Sequence, residues 1–199
     1  MRGESAKLRI VLGVTGASGS IYGWRLLEKF AGRGDVEVHF VLSRAGERTS
    51  FLELGKSAAD FRSLAAFMYS PEDIGCRLAS GSFVTSGMVI APCSINTMSA
   101  ISSGISSNLM VRAADVMLKE RRRLILMVRE SPLHLGHLRS MAALAEMGAI
   151  LAPPVPAFYH HPQTIGDLVE HSVDRVLDLL NLPDPSASRW DGASKGKPE

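Results

Sequence analysis

The chain is poor in the features that would assign it to several common classes. It has two cysteines, Cys76 and Cys93, in 199 residues. Two thiols make neither a disulfide framework nor a Cys-rich metal site, and a reducing cytoplasm is the expected compartment. It has little excess charge, a formal +2, and its one short basic run spans 119–123. That run suits a solvated helix end, so composition does not argue for nucleic acid, and no nucleic-acid partner is expected. No apolar stretch approaches the ~20 residues of a membrane span. Residues 1–7 are short and polar and do not form a signal peptide. Internal repeats are absent. Both common nucleotide-loop signatures are missing: no G-x-G-x-x-G occurs, and no Gly-Lys-Ser/Thr closes a Walker A loop.

What is present is an α/β alternation. With 46% hydrophobic and 21% charged residues, the chain has material for a sizeable core, and its length makes one domain the default. Apolar strands are expected at 7–13, 36–42, 88–91, 124–128 and 149–151. Helical patterns lie at 20–32, 45–54, 96–102, 108–121, 134–147 and 164–180. A second short helix is read in 57–70, loop in 71–83 and a Ser/Gly loop in 102–107. Continuous apolar strands separated by crossover helices predict a three-layer, doubly wound parallel sheet of the flavodoxin-like or Rossmann-like kind. The domain is expected over 1–182. The segment 183–199, rich in Pro, Ser, Gly and Lys, reads as a flexible tail with Trp190 its one sticky residue.

Ligands of such sheets bind beyond the carboxyl ends of the strands. The segments that follow strands are therefore the candidates. The first is Gly13-Val14-Thr15-Gly16-Ala17-Ser18-Gly19, a glycine-rich turn between strand and helix. It offers backbone N–H groups and a helix start to a phosphate, with Ser18 placed to cap the helix or touch the ligand. Ser43 follows the second strand. Pro92-Cys93-Ser94-Ile95-Asn96-Thr97 gathers small polar side chains at another helix start. Arg129 and Glu130 follow the 124–128 strand. An arginine there grips phosphate in bidentate fashion, and a glutamate beside it is a proton donor or acceptor. On the 108–121 helix, Arg112, Asp115 and Lys119 form one stripe, which by itself reads as a solvated face. Tyr159 lies in Ala157-Phe158-Tyr159-His160-His161-Pro162. The scattered histidines have no carboxylate or cysteine at ligand spacing, so no metal is expected.

In this order, these segments resemble the UbiX-type flavin prenyltransferases. The pieces are Val14-Thr15-Gly16-Ala17-Ser18-Gly19, Gly81-Ser82-Phe83, Pro92-Cys93-Ser94, Arg112-Ala113-Ala114-Asp115-Val116, Leu118-Lys119-Glu120-Arg121-Arg122, Arg129-Glu130 and Pro156-Ala157-Phe158-Tyr159. The resemblance implies an FMN-binding fold, usually a homododecamer. It implies transfer of a dimethylallyl group from dimethylallyl phosphate, or the diphosphate, to N5 and C6 of reduced FMN, without a metal. The product, prenylated FMN, serves a partner decarboxylase. It also implies roles. Gly16, Ala17, Ser18, Ser43, Ser94, Ile95, Asn96, Thr97 and Arg129 resemble the FMN shell. Tyr159 and Arg175 resemble the grip on the donor phosphate, with Arg112 and Lys119 beside them. Glu130 and Ser18 resemble the proton-handling pair near N5, and Glu53 a glutamate near the active site. Trp190 stands where some members place a tryptophan on a neighbour's site. Val128, Ser107 and Arg139-Ser140 depart from the usual pattern without removing a residue of chemical role.

Two alternatives share parts of this pattern. FMN-dependent cysteine decarboxylases have a similar Pro-x-Ser-x-Asn-Thr element, but they resemble one another in using a histidine upstream of it. This chain has no histidine between Val41 and Leu133. A non-catalytic flavin carrier or decarboxylase accessory subunit is the other, and Glu130, Tyr159 and Arg175 argue against it.

Overall fold

The structure is a computed structural model that describes residues 7–185 and 187. The chain divides into two compact units, Met1–Pro154 and Val155–Glu199.

The first unit holds one six-stranded, all-parallel sheet. Its strands are β1 (Leu8–Val14), β2 (Val36–Leu42), β3 (Phe67–Tyr69), β4 (Gly87–Cys93), β5 (Arg123–Val128) and β6 (Ile150–Leu151), in the order β3-β2-β1-β4-β5-β6. The chain winds outward from β1 and then, after β3, outward from β4. Right-handed crossovers on opposite sides of that reversal place helices on opposite faces. Accordingly α1 (Ser20–Ala31) packs against α2 (Arg44–Leu54) and α3 (Ala58–Leu64), and α4 (Ile95–Ser102) against α5 (Leu109–Lys119) and α6 (Leu135–Glu146). Both faces of the central strands are covered, so Ile10, Leu12, Val89 and Leu126 are all fully buried. The expected doubly wound α/β architecture is present, and its switch point lies between β1 and β4.

Three local details differ from the sequence reading. The region 57–70 contains both α3 and the edge strand β3. Three residues are too few to show a period, and β3 is defined by its pairing with β2. The strand expected to stop before Pro92 continues to Cys93. The β4–β5 register shifts between Ile90 and Cys93, and that irregularity accommodates a residue with no N–H to give the ladder. The loop at 71–83 contains a 3-10 turn, Arg77–Ala79.

The second unit is built around α7 (Ile165–Leu179), which starts with a reciprocal Thr164–Asp167 capping box and buries Val169, Val173, Val176 and Leu177. Such a box satisfies two of the unpaired N–H groups of the first turn.

Candidate active site

The switch point is held together by one hydroxyl. Thr15, 1% exposed, follows β1. Its Oγ1 donates to the Pro92 carbonyl at 2.6 Å and accepts the Ser94 N–H at 2.8 Å, while its own N–H donates to Pro92 O at 3.3 Å. The Arg129 N–H donates to Cys93 O at 3.0 Å. Hence the ends of β1, β4 and β5 are tied side by side. Gly16–Ser18, Ser94–Thr97 and Arg129–Glu130 open along one edge of the sheet.

On the β2 side, the Ser43 N–H donates to Val14 O at 3.0 Å, and the Ser43 hydroxyl accepts the Gly46 N–H at 2.9 Å as the cap of α2. The approach is close. A Cβ on Gly16 would stand 2.5 Å from Ala45 Cβ, and one on Gly46 would stand 2.7 Å from Val14 O. Thr49 Oγ1 also donates to Gly16 O at 3.2 Å. The glycine-rich turn is thus pressed on α2 by its backbone, which only residues without side chains permit.

The start of α1 is not capped as the sequence suggested. Its N-cap is Gly19, at φ 101°, with no side chain to offer, and not Ser18. Glu53, from the last turn of α2, supplies the acceptor. Its carboxylate takes the Gly19 N–H at 3.0 Å and the Ser20 N–H at 2.8 Å. Burial pushes the Glu53 carboxyl up. The Ser18 hydroxyl and the Ser20 and Gly19 N–H groups outweigh it, leaving Glu53 below the usual glutamate range. Two N–H groups that the sequence offered to a phosphate are therefore occupied by a carboxylate of the chain itself. The start of α4 is self-contained. Ser94 Oγ accepts the Thr97 N–H at 3.3 Å and donates to Thr97 Oγ1 at 3.2 Å. The first-turn N–H groups of Ile95 and Asn96 have no acceptor within the helix.

Arg129 and Glu130 are exposed, and Glu130 Oε1 accepts the Ser131 N–H at 2.9 Å. Tyr22 on α1 joins them: burial raises its phenol, and the Arg129 charge acts in the opposite sense. The Cys93 thiol, wholly buried, is pushed up to about 12 by desolvation and is unfit as a nucleophile.

Arg112 and Lys119 lie on α5 beside the 79–83 loop. Arg112 pairs with Asp115 and donates to Ala79 O at 3.2 Å. Lys119 pairs with Glu120, and a Cβ on Gly81 would fall 2.8 Å from Lys119 Nζ. Arg122 donates to Phe83 O at 3.0 Å and to Gly81 O. These side chains clasp the 79–83 loop. Because α5 leads into the amino end of β5, Lys119 in its last turn lies at the opposite end of the sheet from the crevice. Within one chain it does not join the Gly16–Ser18 turn. In the second unit, Tyr159 Oη lies 2.9 Å from His171 Nε2, and Arg175 faces Asp178 at 3.9 Å. Trp190 lies outside the described residues.

Sequence reasoning missed Thr15, Tyr22, Thr49 and His171. Thr15 stood inside the motif, but its work is long-range. Tyr22 and His171 sit on amphipathic helices whose periodicity speaks for packing. Among the described residues no His, Cys, Asp or Glu cluster is arranged to hold a metal, and no helix is long and apolar enough to cross a membrane.

The groups at this crevice suit an anionic ligand. Small residues line one wall, two helix starts with serine caps face it, and an exposed arginine stands at the next strand end. Residues 1–177 match the family model described as Flavoprotein. The chain is 50% identical over 187 residues to the flavin prenyltransferase UbiX of Escherichia coli K12, covering 93% of this chain and 99% of that one. The enzyme of the same description from Thauera aromatica is also 50% identical, over 93% and 95% of the two chains. A solved dodecameric FMN-dependent UbiX-like decarboxylase from Escherichia coli O157:H7 superposes with a TM-score of 0.91 at 45% identity, covering 93% of this chain and all of that one. The structure of AnUbiX (PadA1) in complex with FMN and dimethylallyl pyrophosphate gives 0.90 at 43% identity, over 94% and 98%. The cysteine decarboxylase TvaF, at 16% identity and a TM-score of 0.59, shares the fold alone. The chain belongs to the flavoprotein family and, within it, to the UbiX-type flavin prenyltransferases.

Proposed function

We propose that the protein transfers a dimethylallyl group from dimethylallyl phosphate to reduced FMN, forming bonds at N5 and C6 and releasing phosphate, and so makes prenylated FMN for a decarboxylase. The observation that carries this reading is the Thr15 bridge. It joins the glycine turn to the Ser94–Thr97 helix start, and the Arg129 N–H on Cys93 O sets the Arg129–Glu130 pair beside them, where α/β sheets hold their ligands.

In this reading Gly16, Ala17, Ser18 and Ser43 form one wall of the FMN seat. Ser94, Ile95, Asn96 and Thr97 form the other, and Arg129 balances anionic charge. Small residues let the flat acceptor lie against backbone, and serine caps leave N–H groups directed at its polar edge. Glu130 and Ser18 handle protons, with Glu53 holding the Ser18 hydroxyl and the start of α1 in place. Tyr159 and Arg175 grip the donor phosphate, whose departure is eased by convergent cations and a phenol. Trp190 belongs with the substrate-binding residues by resemblance.

Arg112 and Lys119 are cations at the 79–83 loop, and Lys119 lies at the end of the sheet away from the crevice of its own chain. In this reading Lys119, with Arg112 beside it, serves the donor of a neighbouring copy, and we propose the dodecamer of the UbiX-like relative for this chain too. Exposed Phe51, Leu52, Leu135 and Leu138 provide apolar surface for neighbouring copies. Residues 1–182 are taken as the catalytic domain and the cytoplasm as its compartment.

The test is anaerobic incubation with reduced FMN and dimethylallyl phosphate, followed by mass analysis of the flavin. A flavin carrying one extra five-carbon unit is the expected result. No adduct with either the phosphate or the diphosphate overturns the reading.

A further inference from the structure

Around Tyr159 the second unit builds a compact group whose histidines the reaction as described leaves unused. Tyr159, about half exposed, lies with Oη 2.9 Å from His171 Nε2. The ring of His160 stacks on that of His171 with centroids 4.5 Å apart and planes 12° from parallel. Both ring nitrogens of His160 are buried with no hydrogen-bond partner among the described residues. Asp174 and Arg175, one turn further along α7, complete the charged surroundings of His171.

A phenol facing an imidazole nitrogen that carries no proton donates its hydrogen bond to that nitrogen. It then presents only lone pairs outward, which repel an anion. If Nε2 carries the proton, the direction reverses: the ring donates to the phenol oxygen, and the phenol proton turns outward toward an anion's oxygen. The reversal costs least when the ring is a cation, because the added charge also faces the anion. We infer that His171 is a positioning residue for Tyr159 that takes up a proton when the anionic group of the donor binds, turning the Tyr159 hydroxyl from the imidazole to the anion.

The surroundings fit that role. With no anion present, burial, the stacked His160 and Arg175 hold His171 below the usual histidine range against the pull of Asp174, so it starts neutral near pH 7. A dianion beside the ring works in the other direction. Among the described residues neither ring nitrogen of His160 faces an acceptor, whereas His171 Nε2 faces the Tyr159 oxygen.

The inference rests on Tyr159 gripping the donor's phosphate, and the experiment separates the two. Inorganic sulfate is a suitable probe because it remains a dianion throughout the working range. Its binding to the FMN-loaded assembly is measured by calorimetry between about pH 8 and pH 6, in buffers of different ionisation enthalpy. The wild-type protein is expected to bind sulfate about tenfold more tightly at the lower pH, with net proton uptake. His171→Gln retains a donor toward the Tyr159 oxygen but no titratable ring; it is expected to bind with no pH dependence and no proton uptake. His171→Phe provides a second variant with the same expectation. Tyr159→Phe is expected to weaken binding at every pH. If the His171 variants keep the wild-type pH profile, or if the wild type shows none, the inference is overturned. If Tyr159→Phe binds sulfate as the wild type does, the phosphate-grip reading fails, and the inference fails with it.

Discussion

The two helix starts that flank the switch point solve the same problem by different means. At α4 the residue before the helix, Ser94, caps it locally, three residues from its partner N–H. At α1 the residue before the helix is Gly19, and the cap is Glu53, contributed by another helix 34 residues along the chain. One start is complete as soon as its segment folds. The other is complete only when α2 has docked on the β1 turn. The difference places the fixed wall of the crevice at α4 and the assembled wall at α1, where Ser18 is held by the same carboxylate that caps the helix. In this account the flavin meets preformed N–H groups at the α4 wall. At the α1 wall it meets groups whose position depends on tertiary packing.

That comparison is most severely broken by moving α1 as a whole. A Cβ on Gly23 would stand 2.3 Å from Ala91 O on β4. Gly23→Ala is expected to cost about 3 kcal/mol in unfolding free energy, since backbone cannot yield as a side chain can. Chemical denaturation measures it, and a change under 1 kcal/mol (roughly, on the same scale) would mean α1 is free to shift. Next is the tie between the two walls. Thr15→Val keeps the shape but strands the Ser94 N–H and leaves the Pro92 carbonyl only the longer bond from the Thr15 N–H, at an expected cost of about 2 kcal/mol and with weakened FMN binding. Unaltered FMN affinity in a folded Thr15→Val protein would detach the bridge from the ligand site.

The local cap is the third step. Ser94→Ala is expected to lower stability by about 1 kcal/mol at all pH values, as loss of an N-cap does. Smallest is Glu53→Gln, which retains an acceptor and loses only the charge, for about 0.5 kcal/mol. Its pH dependence distinguishes it from Ser94→Ala. Glu53 is held below its ordinary value of 4.5 in the folded protein. Its charge therefore stabilises the fold above that value, and the stabilisation is lost as pH falls through the lowered folded-state value. Melting temperatures of wild type and Glu53→Gln should differ at neutral pH and converge in acid. A pH-independent difference would show that the carboxylate's charge plays no part.

The same contrast explains what could be read from the sequence. The parallel sheet, its doubly covered strands and the cluster of segments at strand ends were legible, because continuous apolar runs and crossover helices are local patterns. The Ser94 and Thr164 caps announce themselves in the same way. The Glu53 cap did not, since nothing near Gly19 marks a partner on α2; Ser18 was the nearest hydroxyl and drew the assignment. Thr15 shows the same limit: its two partners lie 77 and 79 residues away. Lys119 shows a different limit. Its charge and helical face are visible in the sequence, while the end of the sheet at which the last turn of α5 lies follows only from topology. The His171–Tyr159 pairing joins a loop to a helix face, and a histidine on an amphipathic helix reads first as packing.

A crystal structure of the FMN complex tests the central claim most directly. The expected result is FMN at the switch point, between the Gly16–Ser18 turn and the Ser94–Thr97 helix start, with Glu53 still on the Gly19 and Ser20 N–H groups. FMN bound away from the carboxyl ends of β1 and β4, or a phosphate seated in place of the Glu53 carboxylate, would contradict it.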